Sequence, residues 1–355
     1  MKTVIVVGAG VVGLFCAVRL AQAGARVTLL EAEAEEWSPY GPGASAAAAG
    51  MLAPLGEAES PHDTLAFASL DLWKRLRDGA QWADGVRFDG GVVIAETAAH
   101  AESFAHRAKR LARSAECLTP ANVKRKTGLR SKVEHAVFVE AEGVADPVRV
   151  LSGLAMQVRA HGVAMRFNCE VESADATSAR AHDGAVFEAD AVVLAVGYWG
   201  CAKLGATVPA LRQIVPGKGQ LVPVTLERPL GPNVRAPGFY LAQRREDVVL
   251  GATLELGRVD RRANPEGAAE LLAAAEAQLP GEVTPAGKGW AGVRPMSPDG
   301  WPLIGPSGGV LVAVGHSRNG WLLAPITAEI ITAHVFGRHI PPEWAALSPA
   351  RFGRS

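Results

Sequence analysis

The sequence predicts an α/β fold in which a domain built on a parallel sheet is interleaved with a domain built on a mainly antiparallel sheet. An N-terminal β-branched run, a glycine-rich turn, an apolar-periodic helix and a second strand predict the parallel sheet. A later apolar strand in EADAVVLAVGYWG also ends in a glycine turn and fits the same sheet. Residues 215–290 change to short alternating segments such as GKGQLVPV and DVVLGATLEL, which are typical of antiparallel strands.

The composition is that of a globular protein without a strong charge preference. The 355 residues are enough for two domains, and hydrophobic residues make up 48% of them, which is ample for a core. Lys+Arg and Asp+Glu both number 36, so the formal net charge is zero, and neither nucleic acid nor an anionic membrane is indicated as a partner. The four cysteines are scattered without a CxxC pair. We therefore expect no metal site, no disulfide scaffold and a cytoplasmic location.

The first strand, TVIVV, leads into a turn with the spacing Gly8-x-Gly10-x-x-Gly13. Gly8 permits the tight turn, Gly10 lets a pyrophosphate approach the backbone, and Gly13 lets the following helix pack against the strand. Free N–H groups at the start of that helix suit phosphate. The second strand, RVTLL, ends on Glu31, whose carboxylate can accept hydrogen bonds from ribose hydroxyls. These features predict a Rossmann-like dinucleotide site, and they do not distinguish FAD from NAD.

The N-terminal segment also has a second interpretation. Lys2 followed by a long apolar run, with AQA imitating a cleavage site, has the pattern of a secretory signal peptide. Arg19 interrupts the apolar run, and the glycine spacing is that of a nucleotide site, so we favour a folded segment. No other stretch approaches the roughly 18 apolar residues of a membrane span, and we expect no integral membrane segment.

The other elements are predicted from periodicity and capping signals. Asp146 as N-cap and Pro147 at the first position predict a helix in DPVRVLSGLAMQVRAHGV. The small residues of GPGASAAAAGMLAP (41–54) predict either a flexible loop or backbone lying against a flat ligand. Further predicted elements are helices at 64–80, 100–116 and 266–279, two strands meeting at a turn in VRFDGGVVIAE, and a strand around NCEVESA.

Residues 315–320, GHSRNG, place Arg318 between the apolar runs VLVAV and WLLAP. Because removing an unpaired charge from water is costly, Arg318 is expected to be exposed, paired or holding a ligand. One alternative is an ion pair with an acid such as Asp299.

Three stretches together carry a resemblance to a known family: the N-terminal fingerprint, GVRPMSPDGWPLIGP (292–306) and VAVGHSRNGWLLAPITAEIIT (312–332). The chain resembles the D-amino-acid-oxidase-like FAD-dependent oxidoreductases, and most closely the glycine oxidase group of thiamine biosynthesis. SAAAAGML, the DP-initiated helix, AVVLAVGYW, GFYLAQR and LGATLE follow in the family's order. The resemblance selects FAD over NAD.

The resemblance implies a Rossmann-like FAD-binding domain interleaved with a mainly antiparallel-sheet substrate domain. The FAD-binding domain would comprise residues 1–85, 146–212 and 296–355. The substrate domain would comprise residues 86–145 and 213–295.

The resemblance also implies which residues hold FAD, and it implies a non-covalent cofactor because no cysteine lies in the C-terminal flavin motifs. At the ADP half and its surroundings it assigns Gly8, Gly10, Val11, Val12, Gly13, Glu31, Ala32, Val171 and Gly197. Along the ribityl chain and flavin it assigns Ala44, Ser45, Ala49, Gly50 and Met51. Beside the isoalloxazine it assigns His316, Ser317, Arg318, Asn319, Gly320, Trp321 and Leu322, where a helix N-terminus would stabilise negative charge on the reduced flavin.

Three residues are implied at the substrate. Arg294, in GVRP, matches the family arginine that pairs with the substrate carboxylate, and Tyr240, in GFYLAQR, matches the tyrosine that donates a hydrogen bond to it. Arg318 matches a second arginine, which would organise the flavin and the substrate amine. The alternatives are a surface arginine at 294 and an ordinary strand aromatic at 240. His316 is interpreted as structural rather than as a general base.

The implied activity is oxidative deamination of glycine or a small D-amino acid, with hydride passing from Cα to flavin N5. The imine would be hydrolysed to an oxo acid and ammonia, and oxygen would reoxidise the flavin with formation of peroxide. A D-amino-acid dehydrogenase that passes electrons to a quinone and a non-catalytic flavin-binding protein stay as alternatives. Leu254, the run LAQR and Trp321 depart from the family pattern, so the preferred amino acid is open. The electron acceptor and the oligomeric state, homo-oligomer included, are open as well.

Overall fold

The structure, a computed structural model, describes residues 1–56 and 59–353. Its strands are β1 Thr3–Val7, β2 Arg26–Leu30, β3 Met51–Leu52, β4 Val86–Arg87, β5 Gly91–Ala95, β6 Ala115–Leu118, β7 His135–Val139, β8 Gly143–Ala145, β9 Ala164–Arg166, β10 Val171–Ala174, β11 Ser178–Ala181, β12 Val186–Glu188, β13 Ala191–Leu194, β14 Val215–Leu226, β15 Asn233–Ala236, β16 Phe239–Gln243, β17 Val248–Gly251, β18 Glu255–Leu256, β19 Val283–Pro285, β20 Trp290–Met296, β21 Leu303–Ser307 and β22 Val310–Val314. Its helices are α1 Val11–Gln22, α2 Ala44–Ala47, α3 Asp63–Arg77, α4 Ala98–Arg110, α5 Pro120–Thr127, α6 Pro147–Ala160, α7 Gly197–Leu204, α8 Pro265–Gln278, α9 Gly320–Val335 and α10 Pro342–Ala345.

A six-stranded sheet in the order β21-β22-β13-β1-β2-β9 carries the N-terminal fingerprint. All its pairs are parallel except β21 with β22, which form an antiparallel hairpin. The strand β1 is buried at the centre of this sheet because its β-branched residues are covered on both faces. Its strands come from three separate parts of the chain, as the interleaved α/β prediction requires.

A ten-stranded sheet is formed by the segments between those parts, in the order β18-β14-β17-β16-β15-β5-β7-β6, with β19 and β20 also paired to β14. Its neighbours are antiparallel, as the alternating segments predict, with the exception of β15 and β5, which run parallel. The helix α8 packs on this sheet and confirms the helix predicted at 266–279. The predicted fold class is confirmed, and the predicted domain boundaries stay a prediction.

Two local predictions are wrong. The helix expected at 100–116 ends at Arg110, because Ala112 has a φ of 54°, outside the right-handed helical region, and residues 115–118 then pair with β7 as β6. The two strands in VRFDGGVVIAE exist, but they do not meet as a hairpin. The strand β4 pairs with β8 in a small sheet, whereas β5 pairs with β7 and β15 in the large one.

The helix α6 begins as the sequence predicts. The Asp146 side chain accepts a hydrogen bond from the Arg149 backbone N–H at 3.2 Å, and Pro147 occupies the first helical position. The helix predicted at 64–80 is α3, and the strand around NCEVESA is β10. Capping chemistry therefore fixed the start of α6 correctly, as expected for a signal that depends on near neighbours.

The N-terminal segment belongs to the core, which contradicts the signal-peptide alternative. The helix α1 packs closely on α9, and Phe15 contacts the rings of Trp73 and Trp82 edge-on. These three rings belong to the same buried core cluster and fix α1 in it. Among the described residues, no helix is both long and apolar enough to cross a membrane.

Candidate active site

A cavity of about 1210 Å³ lies against the carboxyl ends of β1 and β2 and extends to the ten-stranded sheet. Every predicted site residue except one lines it: Gly8, Gly10, Val11, Val12, Glu31, Ala32, Ala44, Ser45, Ala49, Gly50, Met51, Val171, Gly197, Tyr240, Arg294, His316, Ser317, Arg318, Asn319, Gly320, Trp321 and Leu322. The exception is Gly13, which faces the strand instead. A Cβ at Gly13 would lie 1.9 Å from the Gly8 carbonyl oxygen, so this residue acts through packing, as the fingerprint predicts.

The glycine turn presents backbone to the cavity. Gly8 has a φ of +106°, and a Cβ there would lie 2.4 Å from the Ala195 carbonyl oxygen, so both conformation and space require glycine. At the first residue of α1, the Val11 N–H donates to the Ser45 hydroxyl at 3.1 Å. The turn and the small-residue helix α2 are therefore tied together at the N-terminus of α1, where a phosphate would bind.

Glu31 lies at the end of β2, at the same edge of the cavity. Its carboxylate accepts hydrogen bonds from the Ala9 N–H at 2.5 Å and from the Glu33 N–H at 3.0 Å. These contacts hold the carboxylate beside the glycine turn while it still lines the cavity. This is the position that a ribose-binding acid occupies in the predicted fingerprint.

The small residues of 41–54 form a packed structure, which decides against the flexible-loop alternative. The carbonyls of α2 accept two buried indole N–H groups: Trp321 donates to Ser45 at 3.0 Å and Trp290 donates to Ala47 at 2.9 Å. The Trp321 carbonyl in turn accepts from the Trp73 indole at 2.9 Å. The absence of large side chains lets this backbone face the cavity directly.

His316 is buried beneath the start of α9 and is hydrogen-bonded to the Thr327 hydroxyl, with 2.9 Å between Nε2 and Oγ1. Burial lowers the pKa of His316 to about 3. The imidazole is therefore neutral at physiological pH and its one close partner is structural, which agrees with the interpretation that it is not a general base.

Arg294 and Tyr240 come from neighbouring parts of the ten-stranded sheet and meet at the cavity wall. The Arg294 Nη1 donates to the Thr253 carbonyl at 3.3 Å. Burial lowers the pKa of Arg294, the adjacent Tyr240 opposes that change, and the charge of Arg318 adds to it. Burial raises the pKa of Tyr240, which is opposed first by Arg294 and then by Arg318. The phenol is therefore a neutral hydrogen-bond donor beside two cations.

Arg318 is exposed and makes no hydrogen bond or ion pair within the described part of the chain. The alternative partner, Asp299, is held instead by Arg351, whose Nε and Nη2 lie 2.8 and 3.0 Å from its two oxygens. The ion pair proposed between Arg318 and Asp299 is therefore absent. Arg318 faces the cavity with its charge uncompensated.

The other strong cations on the cavity wall have carboxylate partners. Lys203 pairs with Glu170 at 2.5 Å, and Arg235 pairs with the buried Glu142. Sequence reasoning did not single out these pairs, because their partners are far apart in the chain. In the described residues, Arg294 and Arg318 are the two cavity-lining arginines without an acid.

A family model for FAD dependent oxidoreductases matches residues 3–334. The chain belongs to this FAD-dependent oxidoreductase family. The glycine oxidase of Geobacillus kaustophilus is 30% identical over an alignment of 349 positions that covers 92% of this chain and 91% of that protein. A crystal structure of glycine oxidase from the same organism superposes with a TM-score of 0.86 at 27% identity and covers 99% of both chains.

The family also includes longer proteins. The bifunctional protein ThiO/ThiG of Synechocystis is 29% identical over an alignment of 371 positions that covers 98% of this chain. This chain spans about half the length of that relative, 54%, whereas it spans nearly the whole length of the Geobacillus glycine oxidase.

The residues present fit the family's FAD. A glycine turn without side chains, the start of α1 and the Glu31 carboxylate all line the same cavity, as a dinucleotide site requires. Leu254, one of the departures from the family pattern, is 47% exposed and is not among the described residues that line the cavity. The departure at Leu254 therefore lies outside the pocket, whereas Trp321 is 5% exposed and lines it.

Proposed function

We propose that the protein catalyses FAD-dependent oxidative deamination of glycine or small D-amino acids, with oxygen as the electron acceptor. The observation that carries the proposal is the pair of cavity-facing arginines, Arg294 and Arg318, which have no acidic partner in the described chain. The Arg294 guanidinium is partly buried and has no acidic partner, so it needs an anion, and a substrate carboxylate supplies one.

Arg294 and Tyr240 would fix the carboxylate from two sides. The guanidinium offers two parallel N–H donors, and the neutral phenol offers a third hydrogen bond. Arg318, at the beginning of α9, would orient the flavin edge and the substrate amine. When bound, FAD would supply the oxidation as the acceptor of the Cα hydride, and water would hydrolyse the resulting imine to an oxo acid and ammonia.

The chain needs no dedicated general base if the amine is bound in its neutral form. His316 is buried, hydrogen-bonded to Thr327 and held neutral by a pKa of about 3. The N-terminus of α9 would stabilise negative charge developing on the cofactor. The protein's contribution is therefore orientation and electrostatics.

The same arrangement gives the pocket a handedness. With the carboxylate fixed by Arg294 and Tyr240, an L-amino acid would exchange the positions of its side chain and its amine. Apolar atoms would then face the polar groups that contact the amine, at a cost of about 1–3 kcal/mol for each unpaired group. Glycine and D-alanine should therefore reduce the flavin much faster than L-alanine.

The test is an anaerobic flavin-bleaching screen of the purified holoenzyme with glycine, sarcosine and the two enantiomers of alanine. Bleaching by glycine or D-alanine supports the proposal, and equal rates for L- and D-alanine contradict the proposed handedness. If none of these amines bleaches the flavin, the result supports the alternative of a non-catalytic flavin-binding protein. Peroxide formation in air supports the oxidase, whereas dye reduction without peroxide supports a dehydrogenase.

Two further expectations belong to this proposal. Acid precipitation should release the flavin into the supernatant, because the FAD is proposed to be non-covalent. A cytoplasmic location stays a prediction, supported by the four cysteines, which are all free thiols in the structure.

A further inference from the structure

The segment Gly217-Lys218-Gly219-Gln220 lies near the start of β14 and is paired with β20, the strand that carries Arg294. Side chains alternate between the two faces of a strand, so positions 217 and 219 share one face and positions 218 and 220 share the other. In the antiparallel register with β20, Gly217 is opposite Arg294 and Gly219 is opposite Gly292. The two glycines are therefore on the face that carries Arg294.

The Arg294 guanidinium lies flat across Gly219. A Cβ at position 219 would be 1.9 Å from Nη1, 2.2 Å from Nη2 and 2.3 Å from Cζ of Arg294. Gly219 is not among the glycines with a positive φ, so its backbone conformation would suit any residue. Glycine is required here by the space that Arg294 occupies.

Tyr240 has a similar relation to another glycine. A Cβ at Gly251 would lie 2.7 Å from the Tyr240 hydroxyl oxygen, and the two residues are paired across β16 and β17. The two groups proposed to bind the carboxylate thus each lie over a position that has no side chain.

Lys218 and Gln220, on the opposite face of β14, contact the segment 253–264. This segment includes Thr253, whose carbonyl accepts a hydrogen bond from Arg294. Lys218 is 1% exposed and its Nζ lies 2.8 Å from Asp260. The Gln220 side chain both donates to the Asn264 carbonyl and accepts from the Asn264 N–H, each at 2.9 Å. The Gln220 backbone N–H also donates to the Thr253 hydroxyl at 3.0 Å. These contacts fix residues 253–264, whose Thr253 carbonyl accepts from Arg294.

We infer that Lys218, Gly219 and Gln220, the Arg294 seat, are positioning residues that set where the carboxylate-binding guanidinium lies. Gly219 leaves the space, and Lys218 and Gln220 hold the loop carrying the carbonyl acceptor. This inference rests on the proposed function, since it takes Arg294 to bind the substrate carboxylate. A side chain at 219 would displace the tip of a flexible residue, and the fold would survive the change.

The test uses Gly219→Ala holoenzyme titrated with acetate, a carboxylate that has no amine to oxidise, and followed by the absorbance change of the bound flavin. The dissociation constant for acetate should rise by about tenfold or more, the effect of losing one charged hydrogen bond. Flavin content and melting temperature should match the wild type. The matched control is Gly217→Ala, because a Cβ there would meet the Met296 side chain at 2.6 Å instead of Arg294.

A double-mutant cycle shows whether Gly219→Ala lowers acetate affinity by displacing Arg294 or by disturbing the site as a whole. In an Arg294→Ala background, Gly219→Ala should cause no further loss of acetate affinity. Wild-type affinity in the single variant, or an equal loss in the double variant, would overturn the inference. If no amine reduces the wild-type flavin while acetate binding still falls in Gly219→Ala, the proposed function fails and the positioning role stands.

Discussion

Gly13 and Gly219 have equally close neighbours, and the neighbours are of different kinds. A Cβ at Gly13 would meet the Gly8 backbone carbonyl at 1.9 Å, and a Cβ at Gly219 would meet the Arg294 guanidinium at 1.9 Å. Backbone cannot move without distorting the turn, whereas the end of an arginine can rotate away. The cavity thus has two ends of different construction. The nucleotide end, at the glycine turn, is built from backbone that cannot move. The carboxylate end, at Arg294 and Tyr240, is built from side chains that lie over glycines.

The largest expected effect tests the nucleotide end. Gly13→Ala should cost more than about 3 kcal/mol of stability, above the usual range for overpacking, and should abolish flavin retention. Flavin content after gel filtration and thermal melting measure both effects. Gly24→Ala, at the end of the same helix, is the control because nothing lies within 4 Å of its Cβ position. Its φ of +92° should cost only about 1–2 kcal/mol and leave FAD bound.

At the carboxylate end, Arg294→Ala should raise the Michaelis constant of every carboxylated substrate and leave the flavin bound. Truncating one partner of a buried charge pair costs about 2–5 kcal/mol. Arg294→Lys should recover only part of the loss, because an ammonium lacks the forked donor geometry. Steady-state kinetics with glycine and with an amine that has no carboxylate check this prediction. Equal damage to both substrates would mean that Arg294 has a structural role.

Glu31→Ala should weaken FAD binding at the nucleotide end without changing catalysis at the carboxylate end, and the loss should be smaller than that expected for Arg294→Ala. Losing a charged hydrogen-bond acceptor costs about 1.5–3 kcal/mol, so FAD affinity should fall by roughly ten- to a hundredfold. Turnover of flavin-saturated enzyme should be unchanged, because Glu31 lies at the glycine turn and not beside Arg294. The measurement is flavin release on dilution, and undiminished retention would place the ribose elsewhere.

The smallest expected effect concerns His316. Its folded pKa of about 3 lies below the ordinary value of about 6.5 for histidine. Between these pH values the unfolded chain therefore binds a proton at this imidazole and the folded protein does not. Stability is therefore lost as pH falls through 6.5, by at most about 2 kcal/mol between pH 7 and pH 5 from this group. His316→Asn should flatten that part of the stability–pH curve in denaturant titrations. An unchanged slope would mean that His316 is not the group responsible.

Sequence analysis predicts the nucleotide end well because its determinants are local. The spacing of Gly8, Gly10 and Gly13, and the acid at the end of the next strand, lie within 31 residues. The Asp146 cap is likewise a contact between near neighbours. The hydrophobic periodicity predicted that α4 would extend to residue 116, which is too far. Nothing in the pattern marks Ala112 as the residue that leaves the helical conformation.

The carboxylate end could be assigned only by resemblance, because its geometry depends on strand register. Gly219 and Arg294 meet only because β14 and β20 pair as they do. The Arg235–Glu142 pair joins residues 93 positions apart. The alternation in GKGQ indicates a strand, but it does not indicate which side chain will lie over its glycines.

Trp73, Trp321, Ser45 and Val11 form one continuous relay of hydrogen bonds from the core to the glycine turn. A substitution at Trp73, in the buried core, would therefore be transmitted through these hydrogen bonds to the backbone at the start of α1.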